Sequence, residues 1–225
     1  MSKKQLRIVA VGAHLDDIEI ACGGTIAKAI DRGHIVKMIV LSKSGYSDYA
    51  GNQVRTDEQA SKEGKKAAAI LGVQDLKIYD YPAKDVPYDS SIVEVLNAEF
   101  DAFEADVILT HWQYDTHKSH QNAALATFAA GRYYNSILMY EPFAPAGRSY
   151  AGFRSQIYVD ISQTIDKKIS AIKAHESELS KYGIEWVDAV RARAIFRGFE
   201  LIERENKGQR FAESFEVLRF NFKMF

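Results

Sequence analysis

Two short segments of this chain hold side chains that bind metals and move protons. The first is Ala13-His14-Leu15-Asp16-Asp17, directly after an apolar run over 7–12; the second is His117-Lys118-Ser119-His120, just beyond an apolar run over 106–110. His14 and Asp17 are three residues apart, and so are His117 and His120. A loop or first helical turn can aim such pairs at one point. A catalytic zinc takes three protein ligands of N/O type and keeps one position for water. His14, Asp17 and one of the two downstream histidines make such a His₂Asp set. Asp16 then remains as a carboxylate beside the metal's water, where a general base is needed. A plainer reading exists for each motif: Asp16 and Asp17 as N-caps of a helix beginning near Gly24, and the two histidines as solvated residues at a helix start. The metal reading gains from position, because both motifs follow strand-like runs and open α/β sheets bind ligands at the carboxyl ends of their strands.

The elements that must position these residues are legible as alternating patterns. Short, nearly continuous apolar runs at 7–12, 34–41, 76–79, 106–110, 136–140 and 156–161 predict strands buried on both faces, as in a parallel sheet. Helical spacing predicts helices over 25–32, 53–71, 91–103, 121–134, 162–182 and 187–196, with an extended segment at 213–220. Gly33 and Gly72 stand where helices end. The alternation implies βαβ units and an α/β three-layer αβα sandwich with a mostly parallel sheet, read as a single domain over 1–225. Two long loops, 42–52 and 141–155, are rich in Gly, Pro and Tyr and are the kind that line sites.

Composition removes several classes of function. A net charge of −1 leaves no basic field for nucleic acid. Cys22 is the lone cysteine, so no intramolecular disulfide forms. No apolar stretch is long enough to span a bilayer, and residues 1–7 lack the pattern of a signal peptide, so the cytoplasm is the default location. The expected partner is a small molecule, with no nucleic acid or membrane and with homo-oligomerisation open.

The segment Ala13-His-Leu-Asp-Asp-Ile-Glu-Ile-Ala-Cys-Gly-Gly-Thr25 closely resembles the signature of the PIG-L/LmbE-like family of zinc-dependent N-deacetylases. The usual family opening is Ala-His-Pro-Asp-Asp, followed after a short gap by Gly-Cys-Gly-Gly-Thr. Arg55-Thr-Asp-Glu58 with Ala67–Val73, Asp115-Thr-His-Lys-Ser-His120, Asp160-Ile-Ser with Lys168 and Ala174-His175-Glu-Ser177, and Ala212-Glu213-Ser-Phe215 are similar to later family elements. The resemblance implies a Rossmann-like sandwich that hydrolyses an N-acetyl group on an N-acetylglucosaminyl-type glycoside. It implies His14, Asp17 and His120 as ligands of Zn²⁺, or of another divalent metal such as Fe²⁺. It also implies Asp16 as general base and His117 as the group that stabilises the oxyanion. Two positions depart from the pattern. Leu15 replaces the usual proline, and Ser119 replaces a common aspartate that in relatives looks placed to orient the histidine at position 117. Asp115 is the candidate to supply that carboxylate instead.

Other residues attract attention. Arg55 and Asp115 are candidates for substrate binding, although Arg55 also reads as a surface arginine at a helix start. Tyr46, Asp48 and Tyr49 lie on the loop over 42–52, either touching sugar or forming an exposed lid. Trp112, Tyr114, Tyr133 and Tyr134 are candidates for cleft walls or for core. Cys22 reads as a packing residue, His111 as structural or supporting, and His175 as a helix-packing residue. Two competing functions remain: a non-catalytic metal- or ligand-binding protein that keeps the fold, and a nucleotide-binding oxidoreductase. Gly12 with Gly23-Gly24 does not make the Gly-x-Gly-x-x-Gly that the second needs.

Overall fold

The apolar runs become strands because each offers side chains to both faces of a covered sheet. In a computed structural model describing residues 5–48, 50–201 and 208–221, the order is β1 (Arg7–Gly12), α1 (Asp17–Asp31), β2 (Ile35–Val40), β3 (Tyr46–Ser47), β4 (Gln53–Arg55), α2 (Asp57–Leu71), β5 (Asp75–Ile78), α3 (Ser90–Phe103), β6 (Val107–Thr110), α4 (Lys118–Ala130), β7 (Ser136–Tyr140), β8 (Ile157–Asp160), α5 (Ile165–Lys173), α6 (Glu176–Tyr182), α7 (Ile184–Phe199) and β9 (Ala212–Phe220). Seven strands form one sheet in the order β5-β2-β1-β6-β7-β9-β8. The first five are parallel, and β9 runs antiparallel to both of its neighbours. Along β1 the pleat splits the core. Ile8 and Ala10 pack with α1, α2 and α5, whereas Val9 and Val11 pack with α3 and α4. The result is the three-layer α/β sandwich expected from the sequence. A third apolar cluster joins α5 and α7 through Ile161, Ile169, Trp186 and Val190. Among the described residues no helix is long and apolar enough to cross a membrane.

Several boundaries differ from the sequence reading, each for a physical reason. The first helix begins at Asp17, well before 25, and is broken at Cys22 (φ −139°, ψ 19°). Beyond the break, the carboxylate of Glu213 on β9 accepts from Gly24 N (2.9 Å) and Thr25 N (2.6 Å). A side chain distant in sequence thus does what an N-cap does, so the sequence shows only the second segment of α1. Gly24 must stay bare there: a Cβ would lie 2.6 Å from Ile161 Cδ1. Lys168, itself buried, pairs with Glu213 and donates to the Ile20 carbonyl at 2.7 Å. The helix expected over 53–71 starts at Asp57, capped by the Thr56 hydroxyl, because residues 53–55 pair with β3 instead. The one expected over 121–134 starts at Lys118 and stops at Ala130, which puts His120 in its first turn. The long helix expected over 162–182 divides into α5 and α6. There Glu63 draws both the N–H (3.0 Å) and the hydroxyl (2.6 Å) of Ser177, giving the start of α6 a buried partner.

Candidate active site

The polypeptide leaves β1 towards β2 on one side, whereas β6 lies on the other side of β1. Loops from the two carboxyl ends therefore diverge and leave a crevice between them. The turn after β1 carries His14, Asp16 and Asp17. The segment after β6 carries His111, Asp115 and His117 and ends in the first turn of α4 with His120. Both motifs meet at this switch point.

Hydrogen bonds on the outer side of each ring fix which nitrogen faces in. His14 Nε2 is 2.7 Å from the Ala83 carbonyl, which can only accept, so Nε2 carries the proton and Nδ1 keeps its lone pair. His120 Nδ1 is 3.0 Å from Asp115 Oδ2, so there the lone pair is on Nε2. These two lone-pair atoms lie 3.2 Å apart. Asp17 Oδ1 is 3.2 Å from His120 Nε2, and Asp17 Oδ2 is 3.4 Å from His14 Nδ1. Four-coordinate zinc with bonds of about 2.0–2.1 Å holds its ligand atoms about 3.3 Å from one another. The donor set fits such an ion by chemistry and by spacing.

The charge balance tells the same story. Burial opposes charge on His120, yet Asp17 and Asp115 outweigh it and push the imidazole up to about 10. For Asp17, burial is outweighed by His120, His111 and His14, which hold its carboxyl well below the usual range. Without an ion this balance keeps a proton on His120, which a cation bound there would displace from Nε2. A second group of potential donors, His111, Asp115 and His120, overlaps the first. Its atoms have other partners: His111 Nε2 accepts from Ala13 N at 3.0 Å and lies 3.1 Å from Asp17 Oδ2, and Asp115 Oδ1 accepts from His117 N (2.8 Å) and Gly147 N (3.0 Å).

Asp16 stands apart from this set. Its backbone is at φ 143°, a region that non-glycine residues rarely occupy. Neither its carboxylate caps α1 nor does any protein group donate to it among the described residues. Burial, with Asp17 and Glu178 nearby, raises it to about 7. His117 is exposed towards the cavity, with its ring stacked on His120 at 4.4 Å. Partial burial and the neighbouring His120 and His14 lower it to about 4, so the imidazole is neutral.

The family model described as GlcNAc-PI de-N-acetylase, PIG-L, matches residues 9–131, more than half of the sequence and both motifs. The chain belongs to the PIG-L family. It is 26% identical over 223 residues to a diacetylchitobiose deacetylase of Thermococcus kodakarensis, covering 92% of this chain and 81% of the relative. Its fold is similar to that of a conserved protein of Thermus thermophilus (TM-score 0.79, 22% identity, 97% of each chain). It is also similar to that of the 4-carboxy-2-hydroxymuconate hydratase of Pseudomonas putida (TM-score 0.77, 19% identity, 97% of this chain and 98% of the other). A hydratase on this fold means that side chains, not the sandwich, decide the reaction.

In this PIG-L chain the motif departures have partners of their own. A proline at 15 would have no N–H; Leu15 has one, and the Ser44 hydroxyl accepts it at 2.8 Å. Ser44, buried and at φ 66°, is in turn 3.1 Å from the Ser42 hydroxyl. The expectation that Asp115 supplies a carboxylate to the His117 ring is corrected: Asp115 serves the ring of His120 and only the backbone N–H of His117. Both of its oxygens accept protein hydrogen bonds and it is 1% exposed, at the edge of the cavity that it helps to line. The surface reading of Arg55 is corrected: it lies on β4 with 2% exposure, lines the cavity, and its Nε has no hydrogen-bond partner among the described residues. Its terminal nitrogens contact Leu15 O (3.1 Å), Glu63 (3.1 Å), Glu178 (3.4 Å) and His175 Nδ1 (3.1 Å). Arg55 therefore anchors the turn that carries His14 and Asp17. Removing one partner from a buried ion cluster of this kind costs about 3–5 kcal/mol. His175, read either as part of the family likeness or as helix-surface packing, is a fully buried member of that cluster.

The PIG-L motifs open on a cavity of about 870 Å³, ample for a small-molecule ligand. Both long loops contribute to it, through Tyr46 and Asp48 from one and residues 141–146 from the other. Tyr49 lies outside the described residues. Of the aromatics read as cleft wall or core, none lines the cavity. Trp112 is core, donating to Glu216 at 3.1 Å, and Tyr114, Tyr133 and Tyr134 do not reach the cavity. Phe143, Tyr182 and Trp186 line it together with Tyr46 and Tyr140. Sequence reasoning missed Tyr182 and Trp186 because α6 and α7 look like packing helices. It also gave no sign of the Ala83 carbonyl, since a backbone group has no residue signature.

Proposed function

We propose that this chain is a zinc-dependent hydrolase that removes an acetyl group from the nitrogen of an amino sugar in a small glycoside. The observation that supports this most is a His₂Asp set with its lone pairs aimed at one point, with the unbonded carboxylate of Asp16 beside it in the same cavity. The description of the family and the name of the Thermococcus relative support an N-acetylated sugar as substrate.

In this reading His14, Asp17 and His120 hold the metal. Zinc bound there would polarise the acetamide carbonyl and bring the pKa of water towards about 7. Asp16 takes the proton of the attacking water, the work of a carboxylate raised towards neutrality. His117, neutral and facing the cavity, donates its ring N–H to the oxygen that becomes anionic; a preorganised donor of this kind contributes roughly 3–4 kcal/mol. An amide anion is too basic to leave, so Asp16 returns its proton to the departing nitrogen. Tyr46, Phe143, Tyr182 and Trp186 offer ring faces for the apolar side of a pyranose.

The test is a panel of N-acetylated glycosides incubated with the zinc-loaded protein, with fluorescamine detection of released amine. Amine is expected from at least one N-acetylglucosaminyl compound and from none after chelation. A protein that holds stoichiometric zinc and releases no amine from any of them would overturn the hydrolase reading.

A further inference from the structure

Ser119 is fully buried in the first turn of α4 and spends both functions of its hydroxyl on a single loop. The hydroxyl donates to the Ala83 carbonyl (2.9 Å) and accepts from Val86 N (3.3 Å). Two neighbours on α4 hold the same loop. Asn122 Nδ2 donates to the Val86 carbonyl (2.7 Å), and Lys118 pairs with Asp85 at the surface (2.7 Å). The Ala83 carbonyl is also the acceptor for His14 Nε2–H. Helix α4 thus carries His120 on its own backbone and reaches His14, more than a hundred residues earlier in the sequence, through one serine and one carbonyl.

We propose that Ser119 is a positioning residue for His14, holding the Ala83 carbonyl where it keeps the proton on Nε2 and the lone pair on Nδ1. The inference rests on the reading of His14 as a metal ligand. Without the hydroxyl, Val86 N–H loses its buried partner and the Ala83 carbonyl loses one of its two donors. His14 is then free to take the other tautomer, which puts a hydrogen on Nδ1 where a lone pair is required. Outer hydrogen bonds to a metal-bound histidine fix its tautomer and orientation, and their loss commonly weakens metal binding 10–100-fold. Ser119 acts on ligand geometry and not on the reacting atoms, so its effect falls on affinity.

Two readouts test this, one of them independent of metal and activity. In ¹⁵N-labelled metal-free protein, the His14 ring should show the Nε2–H tautomer, and S119A should shift it to a mixture. Zinc affinity, measured by competition with a chromophoric chelator, should fall about tenfold in S119A. N122A loosens the same loop while keeping the hydroxyl, and should give a smaller loss in both readouts; it carries the test if S119A folds poorly. An S119A protein, or failing that an N122A protein, with the wild-type His14 tautomer and wild-type zinc affinity would overturn the proposal. A wild-type protein that binds no zinc, with a His14 tautomer that still depends on Ser119, would support the clamp and overturn the metal reading.

Discussion

Replacing Asp16 with asparagine should lower kcat by about 10²–10⁴ while zinc content stays stoichiometric. Asparagine has nearly the same shape and tolerates positive φ better than most residues, so the strained turn at φ 143° should survive. What it lacks is the ability to accept a proton. The Asp16 carboxylate belongs to neither group of potential metal donors and accepts no protein hydrogen bond among the described residues. Its removal therefore leaves no buried donor unpaired. Loss of activity without loss of metal or fold is the signature of a base. The measurements are the rate of amine release and zinc per chain by elemental analysis. A variant with wild-type kcat would take the base role away from Asp16.

Asp17 tests the other half of the site. In Asp17→Asn the set loses its only anionic ligand, although the amide oxygen can still accept from His14 N, now at 2.7 Å from the carboxylate. Zinc affinity should fall more than about 100-fold, beyond the loss of an outer partner, and activity should fall with zinc occupancy. The same variant separates the two groups of potential donors. If a metal were held by His111, Asp115 and His120, Asp17→Asn would retain it and His111→Gln would lose it. The hydrogen bond of His111 Nε2 to Ala13 N argues for the opposite pattern, with zinc kept in His111→Gln. Equilibrium dialysis of both variants reads the difference.

The sheet was readable because its strands carry continuous apolar runs that both faces bury. Ser136–Tyr140, for example, is buried at every position. Motif spacing and the ends of β1 and β6 put His14, Asp17, His117 and His120 at one switch point, whereas the choice of His120 over His117 as the third ligand came from the family resemblance alone. The missed features share a physical cause: they depend on partners distant in sequence. The break in α1 is held by Lys168, which donates to Ile20 O before it, and by Glu213, which accepts from Gly24 N and Thr25 N after it, so local pattern showed only the second segment and placed the helix start too late. Arg55 resembled a surface residue until the β3–β4 hairpin carried it under α6, where Glu63, Glu178 and His175 surround it. The partners of Asp115 were not legible because nothing in the sequence shows Gly147 N–H arriving from the loop after β7.

The most direct measurement of the central claim is anomalous diffraction at the zinc edge from crystals of zinc-loaded protein. One peak is expected, about 2.0–2.2 Å from His14 Nδ1, a carboxylate oxygen of Asp17 and His120 Nε2. A peak displaced onto His111 and Asp115, or crystals that contain zinc with no peak among His14, Asp17 and His120, would contradict it.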